Sequence, residues 1–274
     1  MQDQKTSWTL DTKPRVSVVI PTANGAETIR STIESVLKQT YDNIELICVD
    51  NASRDGTFEI EKEFCEPIKQ TGGLSAQLNR GVTISTGKYI LWIDQDFTLS
   101  PELVSECVEL CERGEMNALV IPELRLGSSW MRSRQIEIDI YARVGDVGAR
   151  FFTRDLFVSV GGMDETLSGM RDYDLGFRME KQGGVIGAAS AKLISYADDS
   201  LKDYVRKYYR RSATLKTIVE RHGVREVYGP YLYFISHPGK MIRSYRPGML
   251  VRFVLLKLAV GISSMLGILL APDG

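Results

Sequence analysis

The chain has 274 residues, 43% of them hydrophobic, which is enough for one large domain with a sizeable core or for one domain with an appendage. Its formal net charge of -1 conceals an asymmetry, because the residues from 201 onward include 13 basic and 4 acidic side chains, +9 in all, and the first 200 residues therefore carry -10. The acidic front disfavours a nucleic-acid-binding surface and suits a metal-dependent site, whereas the basic tail suits an anionic membrane surface. The four cysteines are not spaced as a disulfide framework, so we expect a reducing compartment.

Apolar runs alternate with helical patterns through the first 90 residues. The run VSVVI, residues 16–20, stops at Pro21 and predicts a first parallel strand. Asn24 is expected to cap a helix that ends near Gln39, and IELICVD, residues 44–50, predicts a second strand. The segment GGLSAQLNRGVTISTG then predicts a short helix. This alternation predicts an α/β fold with a doubly wound, mostly parallel sheet.

Carboxylates follow two of the predicted strands. In YILWIDQDFTLSP the apolar residues 90–93 predict a buried strand that leads directly to Asp94 and Asp96, and Asp50 ends the strand before it. Ligands of open α/β sheets bind outside the carboxyl ends of the strands, so the pair is placed to hold a divalent cation that bridges phosphate oxygens. The pair could instead cap or solvate a turn before a helix that starts near Pro101. We favour the cation.

Two stretches in order carry a resemblance to a known family. VSVVIPTANGAETIRSTIESVLKQTYDNIELICVDNASRDGT, followed by STGKYILWIDQDFTLSP, resembles the nucleotide-sugar-binding half of inverting family 2 glycosyltransferases. The resemblance implies a GT-A fold, in which helices flank a Rossmann-like, mostly parallel sheet. It also implies transfer of a sugar from a UDP- or GDP-sugar, with Mg²⁺ or Mn²⁺ as cofactor, to a glycan or polyprenyl-type lipid-linked acceptor.

The same resemblance implies roles for residues of the first half. The residues implied in nucleotide and metal binding are Pro21, Thr22, Asn24, Asp50, Asp94 and Asp96. Among them Asp50 would contact the base, while Asp94 and Asp96 would serve the ribose, the diphosphate and the metal. The chain departs from the family at Ala23, where many members have an aromatic residue, and at Leu78, where a basic residue is common.

The second half carries the candidate catalytic acid. FFTRDLFVSVGGMDETLSGMRDYDLGFRMEKQGG resembles the family's stretch with a Gly-Gly-hydrophobic-Asp-Glu turn, here residues 161–165, before the catalytic acid, which implies Asp172 as general base. The family usually has an acid where this chain has Arg171. That cation is expected to lower the pKa of Asp172 or to bind an anionic acceptor. Asp174 is expected to cap a helix over residues 175–182.

A third metal ligand is sought after a strand predicted near residues 185–195. Related enzymes often have a His where this chain has Tyr196 and Ala197, and that His can complete the metal site. Here Asp198 or Asp199 could serve as the metal ligand, with Asp198 the candidate, or Asp199 or Ser200 could cap the next helix instead.

The C-terminal region, residues 201–274, combines a basic, tyrosine-rich helix with an apolar run over residues 249–271. We expect this run to associate with a membrane through re-entrant or interfacial helices, flanked by Arg243 and Arg246, although a buried helical hairpin is the alternative. Because the first 15 residues have no apolar signal region, we expect a cytoplasmic protein at the cytoplasmic face of a membrane. No nucleic-acid partner is expected.

The remaining residues would form the GT-A domain, 1–200, with a nucleotide-sugar half over about 14–100 and an acceptor half over about 101–200. A second hypothesis is a non-catalytic nucleotide-sugar-binding or scaffold protein, prompted by Arg171 and the missing His near residue 197. A dinucleotide-dependent oxidoreductase is disfavoured, because the first strand leads into PTANGAE and not into G-x-G-x-x-G.

Overall fold

The computed structural model describes residues 13–145, 147–196, 200–212 and 214–269. The strands, in chain order, are β1 (Val16–Thr22), β2 (Ile44–Asp50), β3 (Ile68–Lys69), β4 (Tyr89–Trp92), β5 (Phe97–Leu99), β6 (Ala118–Val120), β7 (Glu123–Arg125), β8 (Phe151–Thr153), β9 (Ile186–Ala188) and β10 (Leu193–Ser195). The helices are α1 (Ile29–Leu37), α2 (Thr57–Glu61), α3 (Leu74–Ile84), α4 (Leu103–Glu112), α5 (Ser129–Ser133), α6 (Gln135–Val144), α7 (Arg154–Ser159), α8 (Arg171–Lys181), α9 (Leu201–Ser212), α10 (Leu215–His222), α11 (Val224–Ser236), α12 (Pro238–Ser244) and α13 (Pro247–Leu269).

The central sheet has the strand order β3-β2-β1-β4-β8-β6-β9. Its strands pair in parallel except β8, which runs antiparallel to both β4 and β6. A smaller sheet with the order β5-β10-β7 adjoins it. The parallel strands β1, β2 and β4 therefore deliver their carboxyl ends to one edge of the central sheet, which is the edge where such sheets bind ligands.

Helices cover both faces of the central sheet and explain why its strands read as continuous apolar runs. Every residue of β1 is buried, as expected for a strand in the middle of a covered sheet. One face packs against α1 and α4 through residues such as Ile33 and Val104, and the other against α3, α7 and α8 through residues such as Leu78 and Leu175. The predicted mostly parallel α/β fold is confirmed.

Three local predictions from the sequence were wrong. The strand predicted near 185–195 is two strands, β9 and β10, which lie in different sheets. Asn24 does not cap α1, which begins at Ile29; its backbone has φ of 50° and its side-chain oxygen accepts a hydrogen bond from the Arg54 backbone N–H at 3.0 Å. The helix predicted over 175–182 begins four residues earlier, so Asp174 lies inside it.

The C-terminal helices pack on the second half of the chain and on each other. Tyr204 of α9 and Leu256 of α13 are buried together, and Phe253 of α13 packs against Ile136 and Ile140 of α6. Among the residues that the structure describes, no helix has the length and apolar character that crossing a bilayer requires.

Candidate functional site

A single large cleft, about 1890 Å³, opens at the carboxyl ends of β1 and β4. The loop after β1 and the two aspartates after β4 line it, together with residues of α6, α8, α9 and α13. The predicted site residues that line it are Pro21, Thr22, Asn24, Asp94, Asp96 and Asp172. The structure therefore brings the candidate nucleotide, metal and catalytic residues to one cavity. Asp198 lies outside the described residues.

Gln95, between the two aspartates, holds the loop that forms the near wall of the cleft. Its side-chain amide oxygen accepts from the Ala23 backbone N–H at 2.8 Å, and its amide nitrogen donates to the Ala23 carbonyl at 3.1 Å. Gly25 leaves room for it, because a Cβ on Gly25 would lie 2.4 Å from the Gln95 Cδ. Asp55 holds the same loop from the far side by accepting from the Ala26 N–H at 3.0 Å. Gln95 was not predicted as a site residue, although its position in the D-Q-D triplet was the signal.

Asp50 is fully buried and does not line the cleft, whereas its neighbour Asn51 does. One carboxylate oxygen of Asp50 accepts from the Ser53 N–H at 3.0 Å, and the other has no hydrogen-bond partner among the described residues. Glu61 is buried nearby, and burial, reinforced by the charge of Asp50, raises its pKa to about 7. The role of Asp50 as a contact to the base stays a prediction.

Asp94 belongs to a buried ion-pair network centred on Arg150. The guanidinium of Arg150 lies 3.1 Å from Asp94 and 2.7 Å from Glu123, and 4.3 Å above the ring of Trp92. Burial would raise the pKa of Glu123, but the cations Arg150 and Arg125 outweigh it and lower that pKa to about 2. Nη1 of Arg150 is buried with no hydrogen-bond partner among the described residues. An unpaired donor beside the cleft is suited to an anionic oxygen of a ligand.

Asp96 lines the cleft two residues after Asp94. Its carboxylate accepts a hydrogen bond from the Ser195 hydroxyl at 3.4 Å. Within the described residues no cluster of three or more His, Cys, Asp or Glu is arranged to hold a metal ion. A hard divalent cation such as Mg²⁺ commonly uses one or two carboxylates and takes its other ligands from phosphate and water, so Asp96 with Asp94 fits that donor set.

Asp172 lies in the first turn of α8 and faces the cleft. Burial raises its pKa, and the cations Arg150 and Arg211 oppose this effect without cancelling it. Gly169 allows α9 to bring Arg211 close, because a Cβ at Gly169 would lie 2.7 Å from the Arg211 Cβ.

The prediction that Arg171 lowers the pKa of Asp172 was wrong. The guanidinium of Arg171 donates to the backbone carbonyls of Leu167 at 2.8 Å and Ser168 at 3.1 Å. Its charge is therefore engaged with the preceding loop, and burial decides the pKa of Asp172. A carboxylate with a raised pKa is a better proton acceptor than an ordinary one.

The capping role predicted for Asp174 was wrong, because this residue is a fully buried anchor inside α8. Its carboxylate accepts from Arg178 at 2.9 Å, lies 2.9 Å from His222 Nε2, and lies 3.5 Å from Arg221. His222 and Arg221 are the last residues of α10, so Asp174 ties the helix that carries Asp172 to the C-terminal region. His222 is thus a structural residue.

Asn79 of α3 joins the first half of the chain to the glycine-rich turn of the second. Its amide nitrogen donates to the Met163 carbonyl at 2.9 Å and to Glu165 at 2.8 Å, and its oxygen accepts from the Met163 N–H at 2.9 Å. An added Cβ at Gly162 would lie 2.7 Å from the Asn79 oxygen, which explains why this turn requires glycine.

Known proteins that are similar to this chain in sequence are glycosyltransferases. Among curated proteins, the chain is 27% identical over 190 residues to an uncharacterized glycosyltransferase of Rickettsia prowazekii, and the alignment covers 60% of this chain and 58% of that protein. It is 25% identical over 177 residues to the PGL/p-HBAD biosynthesis glycosyltransferase of Mycobacterium bovis, covering 60% of this chain and 69% of that protein. The chain thus spans somewhat more than half the length of the first of these relatives.

Solved structures with the same fold include two in complex with nucleotide sugars. The mannosyltransferase PcManGT from Pyrobaculum calidifontis, in complex with GDP-Man and Mn²⁺, superposes with a TM-score of 0.67 at 15% identity, covering 95% of this chain and 88% of that one. S. aureus TarS 1-349, in complex with UDP-GlcNAc, gives 0.58 at 14% identity, covering 93% and 81%. At this identity the likeness concerns the fold, which is GT-A. The family model described as glycosyl transferase family 2 matches residues 17–171, more than half of the chain, and the chain therefore belongs to that family.

Proposed function

We propose that the chain is an inverting glycosyltransferase that moves a sugar from a nucleoside diphosphate sugar to an acceptor hydroxyl. The observation that carries this proposal is the placement of Asp94, Asp96 and Asp172 on the walls of one cleft. Two carboxylates at the end of β4 suit a diphosphate with its counter-cation, and a third at the start of α8 suits the proton of an attacking hydroxyl. Family membership supports the same reaction class.

Asp172 is the general base of the proposed reaction. It takes the proton of the acceptor hydroxyl as the oxygen attacks the anomeric carbon from the face opposite the leaving diphosphate, and configuration inverts in this single displacement. Its raised pKa favours proton uptake. Arg150 and Arg211 are cations beside it, and their charges lower its pKa against the effect of burial.

Mg²⁺ or Mn²⁺ would be held by Asp96 together with Asp94. When bound, such an ion neutralises charge on the departing diphosphate. Arg150, already 3.1 Å from Asp94, fixes that carboxylate and offers an unpaired Nη1 toward anionic oxygens. The complex of PcManGT with GDP-Man and Mn²⁺ supports a divalent ion, and the complex of TarS with UDP-GlcNAc supports a donor of this class. The donor would be a UDP- or GDP-sugar with a hexosyl group.

The acceptor would be a glycan or a polyprenyl-type lipid-linked glycan, and the protein would act at the cytoplasmic face of a membrane. The support is the charge asymmetry of the chain, with +9 from residue 201 onward, and the presence of Tyr208, Arg211 and Lys257 of that region on the cleft wall. A basic wall suits an acceptor that carries phosphate.

Calorimetric titration with UDP and with GDP, each with and without Mn²⁺, tests the donor site. We expect one nucleotide to bind in a metal-dependent way, an Asp94→Asn, Asp96→Asn double variant to lose that binding, and Asp155→Asn to keep it. Asp155 is the matched control because it is an exposed aspartate outside the cleft. Nucleotide binding that is unaffected by Mn²⁺ and by the double substitution would refute the assignment of these two residues.

A second candidate is a non-catalytic nucleotide-sugar-binding protein. It is favoured by one observation, the engagement of Asp94 with Arg150, which competes with a metal ion for that carboxylate. Release of nucleoside diphosphate from a panel of UDP- and GDP-sugars separates the two candidates. Turnover that Asp172→Asn abolishes supports the enzyme, whereas tight binding with no release by the wild type supports the binding protein.

A further inference from the structure

A second, smaller cavity lies beside the main cleft, between α6, α11 and α13. Its volume is about 230 Å³, and its lining is apolar apart from one ion pair at its inner end. The residues that line it are Glu137, Ile140, Tyr141, Phe234, Ile235, Phe253, Val254, Lys257 and Leu258. Several of these are unusually exposed for large apolar side chains: Ile235 is 72% exposed, Leu258 58% and Val254 42%. The groove is thus an apolar surface open to the outside.

The groove continues into the cleft. Glu137, Tyr141 and Lys257 line both cavities, so these three side chains form the junction between them. Lys257 of α13 is ion-paired with Glu137 of α6, and its ammonium lies 5.6 Å from the ring centre of Phe253 and 5.7 Å from that of Tyr208. A molecule with an apolar chain in the groove would therefore enter the cleft beside a cation.

The surface around the groove is apolar and basic. Helices α12 and α13 contain no acidic residue. Among the side chains that the structure describes, the exposed apolar residues of α11 to α13 include Val224, Leu232, Ile235, Ile242, Val251, Val254, Leu255 and Leu258. The exposed basic residues beside them are Lys240, Arg243, Arg246 and Arg252. Apolar side chains flanked by Lys and Arg complement a lipid with an anionic head group, because the chain is buried while the charges meet phosphate.

We propose that the groove binds the apolar chain of a lipid-linked acceptor, whose phosphate contacts Lys257 and whose hydroxyl-bearing head group extends into the cleft toward Asp172. This inference rests on the proposed function for the direction of the head group, and it narrows the acceptor to a lipid phosphate that carries a hydroxyl-bearing group. When the lipid binds, the ammonium of Lys257 gives up part of its ion pair with Glu137 and forms an ion pair with the phosphate.

The test is equilibrium binding of farnesyl phosphate, below its micelle concentration, with farnesol and inorganic phosphate as partial ligands. We expect farnesyl phosphate to bind the wild type at least about 10-fold more tightly than farnesol, since the ester adds a charge-assisted contact. Inorganic phosphate alone is not expected to compete at equal concentration. Lys257→Gln is expected to erase the difference between farnesyl phosphate and farnesol.

Matched valine variants locate the site. Val254→Asp places a charge in the groove and is expected to weaken the binding of farnesyl phosphate at least about 10-fold, because the bound chain would cover the carboxylate, which is costly, and because the carboxylate repels phosphate. Val158→Asp on α7 is the control, because Val158 is 59% exposed and lies outside both cavities. Thermal unfolding of both variants verifies that each is folded. Equal weakening by the two variants, or no binding of farnesyl phosphate by the wild type, overturns the proposal.

Nucleotide titration of the same samples keeps the two hypotheses apart. If UDP or GDP binds and farnesyl phosphate does not, the groove proposal fails while the proposed function stands. If farnesyl phosphate binds in the groove and neither nucleotide binds, the proposed function fails while the lipid site stands. Sedimentation tests the rival occupant: a dimer that Val254→Asp dissociates, with no farnesyl phosphate binding, assigns the groove to a second copy of the chain.

Discussion

Glu123 offers a quantitative test of the ion-pair network beside the cleft. Its side chain is 17% exposed and pairs with Arg125 at 2.6 Å and Arg150 at 2.7 Å. The two cations lower its pKa from 4.5 to about 2. At 1.36 kcal/mol per pKa unit, this difference corresponds to about 3 kcal/mol of stability at neutral pH. We expect Glu123→Gln to lower the free energy of unfolding at pH 7 by about that amount, since the cations lose a buried partner.

The direction in which this stability difference changes with pH follows from the lowered pKa of Glu123. A carboxyl group whose pKa is lower in the folded than in the unfolded state stabilises the fold above the unfolded value, and this stability is lost as pH falls through the folded value. The gap between wild type and Glu123→Gln should therefore shrink as pH falls from about 4.5 to about 2. Urea unfolding at a series of pH values measures this gap in the free energy of unfolding, with Glu109→Gln on the exposed side of α4 as the control. A gap below about 1 kcal/mol at pH 7, or one that does not change with pH, would refute the reasoning.

Other substitutions test the packing and the chemistry. Gly176→Ala should lower the free energy of unfolding by about 3 kcal/mol, because the new Cβ would lie 1.8 Å from the Val147 carbonyl oxygen. Gly229→Ala, with open space around the new Cβ, is the control that should not destabilise the protein, and urea unfolding compares the two variants. Asn79→Ala should lower the free energy of unfolding by about 2 kcal/mol in the same assay, because the contacts to Met163 are lost. An unchanged free energy of unfolding would contradict the role of Asn79 in joining the two halves of the chain. Asp172→Asn should lower kcat about 10²- to 10⁴-fold with nucleotide binding retained. In the wild type, the rate should fall as pH drops through the raised pKa of Asp172; equal pH profiles in both proteins would exclude it as base.

The central sheet could be predicted from the sequence because its information is local. The strands β1, β2 and β4 lie on apolar runs that are followed by Pro21, Asp50 and the D-Q-D triplet, and each strand lies within a few residues of the predicted bounds. The cleft residues Asp94, Asp96 and Asp172 followed from motif order. By contrast, β9 and β10 are three residues each, and nothing in so short a segment indicates that a strand changes sheet.

The ion pairs could not be predicted because their partners are far apart in sequence. Arg150 is 56 residues from Asp94 and 27 from Glu123, and no spacing rule connects them. Asp174 was read as a cap from its local context, but His222, 48 residues away, completes a buried cluster that only the packing of α10 on α8 creates. Arg171 shows the same limit, since its neighbour in sequence is not its partner in space.

The position of Asp172 depends on the C-terminal helices. It stands at the start of α8, and two residues further on Asp174 is fully buried against Arg178 and His222. Because His222 ends α10, the helix that carries the candidate base is fixed by residues beyond 200. The same region places Arg211 and Lys257 on the cleft wall. A substitution that loosens α10 should therefore displace Asp172 more than the aspartates at the end of β4, so the proposed donor binding and the proposed acceptor chemistry can be separated by mutation even though their residues share one cavity.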